Sequence, residues 1–122
     1  MRAIALITLF SILSSCAPAT RTTVFQNYSP RPDDHPIKIF RHKMPKCEYE
    51  EIGIVSARQR NKLISMNKVM NSLQNQARKL GGDAIIGFTE ANPVHNISGA
   101  GIDRDPVLSG TVIRFKRRDC RE

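Results

Sequence analysis

The chain of 122 residues has no tryptophan, two tyrosines and five phenylalanines. A core built from it must be aliphatic and small, and a small sheet filled with aliphatic side chains leaves little room for a catalytic pocket. Catalytic signatures are missing too. There is no nucleophile elbow, no phosphate-binding glycine loop, no metal-hydrolase helix and no spaced pair of catalytic carboxylates. His35, His42, His95 and Cys47 are the soft metal ligands to consider, and no C-x-x-C or H-x-x-H spacing joins them. Asp103 and Asp105 are two carboxylates where a calcium site needs a fuller oxygen shell. The reading is a non-enzyme with no metal and no cofactor.

Long hydrophobic runs are missing as well. Residues 3–13 are apolar apart from Thr8 and Ser11, behind a charged Met1-Arg2 start. A membrane-crossing helix needs about 20 apolar residues, so this run reads as the core of an export signal and not as a permanent span. It ends on Leu13-Ser14-Ser15-Cys16, an aliphatic residue, two small residues and a cysteine, which looks like a bacterial lipobox. Two processing routes compete. A lipoprotein peptidase would remove residues 1–15 and leave Cys16 as the lipidated amino terminus. An ordinary signal peptidase would read Ala17-Pro18-Ala19 and cut before Thr20, discarding Cys16. The apolar run ends directly on the lipobox, and proline just upstream of a cut disfavours the ordinary enzyme, so the lipoprotein route is the reading taken. Each buried methylene contributes about 0.8 kcal/mol, and one acyl chain anchors only reversibly. The three chains usual on such a cysteine, palmitate among them, make a lasting anchor. Ala17 at the next position, where an aspartate would signal retention, matches export to the outer membrane.

Acidic residues are outnumbered 11 to 19 by lysine and arginine, for a formal charge of +8. Such a surface suits nucleic acid, anionic lipid head groups or an acidic partner. Export removes nucleic acid from that set. The two cysteines other than Cys16 are Cys47 and Cys120, an even pair in an oxidising compartment, which favours a disulfide.

Residues 16–35 contain Pro18, Pro30 and Pro32 with no helical or strand period, and read as a flexible tether, with Val24-Phe25 and Tyr28 as the exception, candidates to dock on the domain or on a partner. Its 19 residues after Cys16 could reach on the order of 60 Å where they are polyproline-like. A domain over residues 36–122 follows. Residues 37–41 alternate as a first strand after Pro36, and residues 51–57 form a β-branched second one. Leu63, Met66, Met70, Leu73, Ala77 and Leu80 recur at helical spacing, with Asn61 as a candidate N-cap and Gly81-Gly82 as the stop. Residues 84–88 are an apolar third strand of central character, residues 92–106 a long mobile loop, and residues 108–115 the last strand. The fold class is α+β: a β-β-α-β-β domain with one helix packed on a short sheet. Cys47 precedes the second strand and Cys120 follows the last. If those strands are antiparallel neighbours, the thiols lie within bridging distance. Closing that loop stabilises by about 4 kcal/mol in the chain-entropy treatment. A structural staple and a redox-active pair are both open.

Arg114, Lys116, Arg117, Arg118 and Arg121 make a dense basic end. It reads either as a solvated strand terminus that protects a sheet edge or as a contact for anionic phosphate groups.

Three stretches carry a family resemblance: Tyr49-Glu50-Glu51-Ile52-Gly53, Ala77-Arg78-Lys79-Leu80-Gly81-Gly82-Asp83-Ala84-Ile85-Ile86-Gly87 and Ser109-Gly110-Thr111-Val112-Ile113. Over roughly residues 37–115 this layout resembles two related groups. One is a small-domain family labelled heavy-metal-binding, whose members form rings. The other is the envelope lipoproteins that sense surface stress for the Rcs phosphorelay in enteric bacteria. These also have a lipobox, a proline-containing tether and a disulfide-stapled domain, with four cysteines where this chain has Cys47 and Cys120. The resemblance implies a lipid-anchored protein of the outer membrane, its domain in the periplasm, binding or sensing through an envelope protein partner. The alternative it implies is a homo-oligomeric ring or a small-ligand or metal-binding domain. Its motifs are packing and turn residues, which speak to fold more than to function.

The lipobox reading generates a direct test. In a bacterium with two membranes, the full chain should incorporate labelled palmitate and pellet with membranes, and Cys16→Ala should lose both properties. Label retained by that variant would remove Cys16 as the acylated residue.

Overall fold

The computed structural model describes residues 17–99 and 101–120, so Cys16 and Arg121 lie outside the described residues. In chain order the elements are β1 (Ala19–Val24), β2 (Lys38–Ile39), β3 (Tyr49–Arg58), α1 (Met66–Leu80), β4 (Ala84–Ala91), β5 (Val94–Ser98), β6 (Gly101–Arg104) and β7 (Val107–Phe115). Five strands form one mixed sheet in the order β1-β3-β7-β4-β2, and β5 pairs with β6 in a separate hairpin. Every pairing is antiparallel except that of β2 with β4. The domain is α+β, one helix on one face of the sheet, as the pattern of the sequence implies.

The helix forms where the apolar stripe demands it. Val69, Leu73, Ala77 and Leu80 are buried along one face. They pack on Ile52, Val55 and Ala57 of β3, Ile85 of β4, and Leu108 and Val112 of β7, with Ile37 and Ile64 completing the cluster. Gly81 ends the helix at φ 85°, a left-handed conformation that favours glycine. Gly82 is required for another reason: a Cβ there would lie 2.2 Å from the Val112 side chain. The opposite face of the sheet holds a smaller cluster, Ala84, Ile86 and Ile113 under Phe40, Tyr49 and Phe115.

Four sequence readings are corrected. The segment read as a free tether supplies an edge strand, with β1 pairing along β3 from Ala19↔Arg58 to Val24↔Gly53. Thr22, Thr23 and Val24 are β-branched and suit a strand, and an exposed edge needs no apolar alternation, so the usual signal is missing. The rest of that segment is tied down too, by Phe25 N–H on Ile52 C=O (2.9 Å) and Arg31 N–H on Arg78 C=O (2.7 Å). The domain therefore takes in residues upstream of position 36. Secondly, the loop read over residues 92–106 contains the β5–β6 hairpin. Thirdly, the helix starts at Ser65, whose Oγ accepts from Lys68 N–H (3.3 Å), and not at Asn61. Asn61 instead closes a turn, its Oδ1 accepting from Leu63 N–H (3.0 Å), so Leu63 lies off the stripe and 90% exposed. Lastly, β4 is interior, but β7 holds the middle of the sheet.

Gln76 is the buried polar residue of the helix. Its amide donates to Ser56 C=O (3.0 Å), and its carbonyl accepts from the Thr22 hydroxyl (2.8 Å), joining α1 to β3 and β1. Buried polar groups persist where they are satisfied in this way.

Leu73 is fully buried in the main cluster. Leu73→Ala should lower unfolding stability by about 2–5 kcal/mol in a urea titration. A loss under about 1 kcal/mol would show that the helix does not carry the core.

Candidate binding surface

β3 and β7 run antiparallel with Tyr49 opposite Phe115, so the residues before one strand meet those after the other. Lys116 N–H extends the ladder to Glu48 C=O (3.1 Å). Beyond it the chain turns back, Cys120 N–H on Arg117 C=O (3.4 Å), and Cys120 is joined to Cys47 in a disulfide, Cα to Cα 6.3 Å and 73 positions apart. The bridge keeps the basic end of the chain on the domain.

At this end of the sheet the carboxylate of Asp83 gathers three donors. Its Oδ1 accepts from Arg31 Nη2 (3.0 Å) and His35 Nε2 (2.9 Å), and its Oδ2 from the backbone N–H of Phe115 (2.9 Å). The Asp83 side chain is 13% exposed, against 26% for Arg31 and 29% for His35. A carboxylate this covered needs its donors, because charge taken out of water is costly unless paired and hydrogen-bonded. The turn that holds it is fixed by backbone bonds, Asp83 N–H to Ile113 C=O (2.8 Å) and Lys38 N–H to Asp83 C=O (3.4 Å). Arg78 in the last helical turn adds a further tie, its Nε donating to His35 C=O (2.6 Å).

The basic side chains divide by what they already hold. Arg114 sits on the helix-facing side of β7 beyond the end of α1, and donates from Nη1 to Gly81 C=O (2.8 Å). A cation suits that position, where the last carbonyls and the negative end of the helix dipole meet. The same guanidinium lies 4.5 Å above the Tyr28 ring, and the Tyr28 hydroxyl donates to Glu50. That hydrogen bond to Glu50, then partial desolvation and the carboxylate's charge, raise the Tyr28 pKa above its ordinary 10.0, with Arg114 opposing. The contact is thus kept below pH 10 and lost as pH rises through the elevated value. Arg114 is therefore a structural residue, engaged within the domain. Lys116, Arg117 and Arg118 are exposed, Arg117 in a surface pair with Asp119 (3.1 Å). Arg121 lies outside the described residues.

Between the 31–38 segment and the 114–120 segment runs an open cleft of about 930 Å³. Arg31, Lys38, Lys116 and Arg118 line it, and Asp83 is the one carboxylate among its lining residues. Arg31 Nε is buried without a hydrogen-bond partner among the described atoms. The cleft thus offers several guanidinium and ammonium donors around a neutralised floor, a chemistry suited to anionic groups. Among the described residues no three of His, Cys, Asp and Glu converge as a metal would require. Sequence reasoning placed Lys116, Arg117 and Arg118 on this surface but missed Arg31, His35, Lys38 and Asp83. The available signal was Asp83 itself, a lone acid wedged between a helix stop and the buried run Ala84-Ile85-Ile86.

No known family model matches the chain, and no curated protein matches it. Among solved structures it is similar to one described as the crystal structure of a Francisella virulence factor, FvfA, in the orthorhombic form. That likeness spans 77% of this chain and 97% of that one, at 13% identity and a TM-score of 0.49.

Removing the hub should show in stability. Asp83→Ala leaves Arg31, His35 and the Phe115 amide without their acceptor, and should cost about 2–3 kcal/mol in urea unfolding. An unchanged midpoint would mean that residues 31–35 are not held by this contact.

Proposed function

We propose that this chain is an exported lipoprotein, held at the periplasmic face of the outer membrane by acyl chains on Cys16, whose domain binds or senses without catalysis. The observation that carries the reading is the division of the cysteines. Cys47 and Cys120 are consumed by the disulfide, which leaves Cys16, in its lipobox, as the remaining cysteine of the chain. A structural bridge is a feature of oxidising compartments, and so agrees with export. The likeness of the sequence layout to the Rcs stress-sensing lipoproteins supports the same address and a role in envelope stress.

The basic cleft supports protein contact as the mode of action. Its cations suit a carboxylate-rich segment of another envelope protein, since arginine pairs with carboxylates in a planar, two-pronged geometry. Lys116 and Arg118 are among its exposed members, with Lys38 and Arg117, and exposed cations of this kind govern encounter more than final affinity.

A photo-crosslinking residue placed at position 118 of the lipidated full chain should capture one envelope protein from intact membranes. The charge reversals Lys116→Glu and Arg118→Glu, made together in a chain carrying the crosslinker at position 38, should reduce that capture at least about tenfold. Capture of another copy of the chain alone would favour the ring-forming alternative. Capture of lipid alone would overturn the protein-partner reading.

A further inference from the structure

The register of β1 fixes which end of the domain faces the bilayer. Ala19, the first residue of β1, lies opposite Arg58, the last residue of β3. Cys16 is three residues upstream of Ala19, so the acyl-bearing residue and this end of the sheet are within about 11 Å of each other along the chain. The basic cleft lies at the other end, where Tyr49 pairs with Phe115. Ten residues of β3 separate the two ends, about 30 Å at the usual rise. A tether free over its whole length would let either end approach the membrane. A tether zipped onto β3 from Ala19 does not.

The end near Cys16 has the surface such a position calls for. Immediately after β3 the chain makes the turn Arg60-Asn61-Lys62-Leu63, with Arg60 and Lys62 exposed and Leu63 90% exposed. The turn is rigid. Asn61 Oδ1 holds Leu63 N–H (3.0 Å), Asn61 C=O holds Ile64 N–H (3.2 Å), and Ile64 is 1% exposed in the main core. Gln59 N–H is tied to Pro106 C=O (3.0 Å), and its side-chain amide donates to Ile64 C=O. Leu63 is thus held outward by this frame, next to Lys62 and three positions after Arg60. The amino terminus of α1 follows at once, with Lys68 in its first turn and no acid there. The positive end of the helix dipole and three basic side chains therefore share this end with one protruding leucine. Two acids share this end of the sheet, Glu90 on β4, opposite Leu108 and three strands from β1, and Asp105, next to the Pro106 whose carbonyl holds Gln59.

We propose that the Arg60–Leu63 turn is a membrane-contact site, with Leu63 entering the interfacial layer of the leaflet that holds the Cys16 acyl chains and Arg60 and Lys62 meeting its anionic head groups. The inference rests on the lipid-anchor reading of Cys16. An apolar side chain flanked by cations is the pattern of interfacial membrane contact, and each basic residue near an anionic surface adds to the attraction. The consequence for the rest of the molecule is an orientation. The disulfide end, with its basic cleft, points away from the anchoring leaflet.

The absence of tryptophan from the chain makes the test direct. Leu63→Trp and Arg118→Trp, made separately in the lipidated full chain, each introduce a single reporter at an exposed position. The proteins are reconstituted into vesicles of phosphatidylethanolamine and phosphatidylglycerol, with and without bromine on the acyl chains. Labelled palmitate on Cys16 is measured in the same preparations. The reporter at position 63 should emit at shorter wavelength than in water and lose most of its emission to brominated lipid, while the reporter at position 118 should do neither. Adding Arg60→Glu and Lys62→Glu to the Leu63→Trp chain should restore much of the emission while the protein still pellets with the vesicles. Palmitate on Cys16 with equal quenching at the two positions, or with none at 63, would overturn the contact site and leave the anchor standing. A chain without palmitate would overturn the anchor, and the contact site with it.

Discussion

The antiparallel ladder between β3 and β7 is the constraint on which the rest of the molecule depends. It is the longest pairing in the sheet, from Tyr49↔Phe115 to Arg58↔Val107, with one bulge between Glu51 and Gly53. Because residues alternate across a strand, this register decides which side chains meet the helix. Val55 and Ala57 on β3, with Leu108 and Val112 on β7, reach α1, while Ile113 and Phe115 turn to the other face. A slip of one residue would exchange the two sets and leave the helix stripe facing Ser109, Thr111 and Ile113. The same register sets Cys47 beside the turn after β7 that carries Cys120, so the disulfide follows from the pairing as much as it secures it.

The upstream segment is held on this frame by two polar hubs. Gln76, buried in the helix, fixes β1 through Thr22. Asp83, at the turn after the helix, fixes residues 31–35 and the end of β7 together. Neither hub lies in the segment it holds. Each sits on or beside α1, whose own position is set by aliphatic burial. The order of dependence therefore runs from the hydrophobic stripe to the helix, from the helix to its polar groups, and from those to a segment with little apolar content of its own.

That order explains what was legible in the sequence. The helix showed itself through a 3.6-residue recurrence over four turns and a Gly-Gly stop, signals that belong to the segment alone. The strands now numbered β3, β4 and β7 showed themselves through β-branched runs with turn residues between them. β1 did not, because its stability comes from an edge pairing and one threonine–glutamine bond, and it buries almost nothing. Pro18, Pro30 and Pro32 pointed to a tether, yet they flank the strand and none falls inside it. The N-cap was misplaced for a related reason. Asn61 has the chemistry of a cap and uses it, four residues before Ser65, to close the turn that precedes the helix. Of the candidate site, the exposed cations of the chain end were legible and the groups that floor the cleft were not, since Arg31 and Asp83 are 52 positions apart.

Charge counted from composition does not say which cations are available to a partner. Arg114 looked like part of a continuous basic end, but strand alternation sends it to the helix side, where the Gly81 carbonyl and the Tyr28 ring engage it. Arg78 is held by His35 C=O and Asn75, and Arg31 by Asp83. Among the cations that stay exposed, Lys116 with Arg118 lies at the disulfide end of one ladder and Arg60 with Lys62 lies at the other, beyond Arg58. The screening length at physiological salt is about 8 Å, and the two groups are about 30 Å apart along β3, so each meets its surroundings independently of the other. A single net charge therefore hides where the available cations sit. The strand that starts three residues after Cys16 decides which of them is nearer to that cysteine.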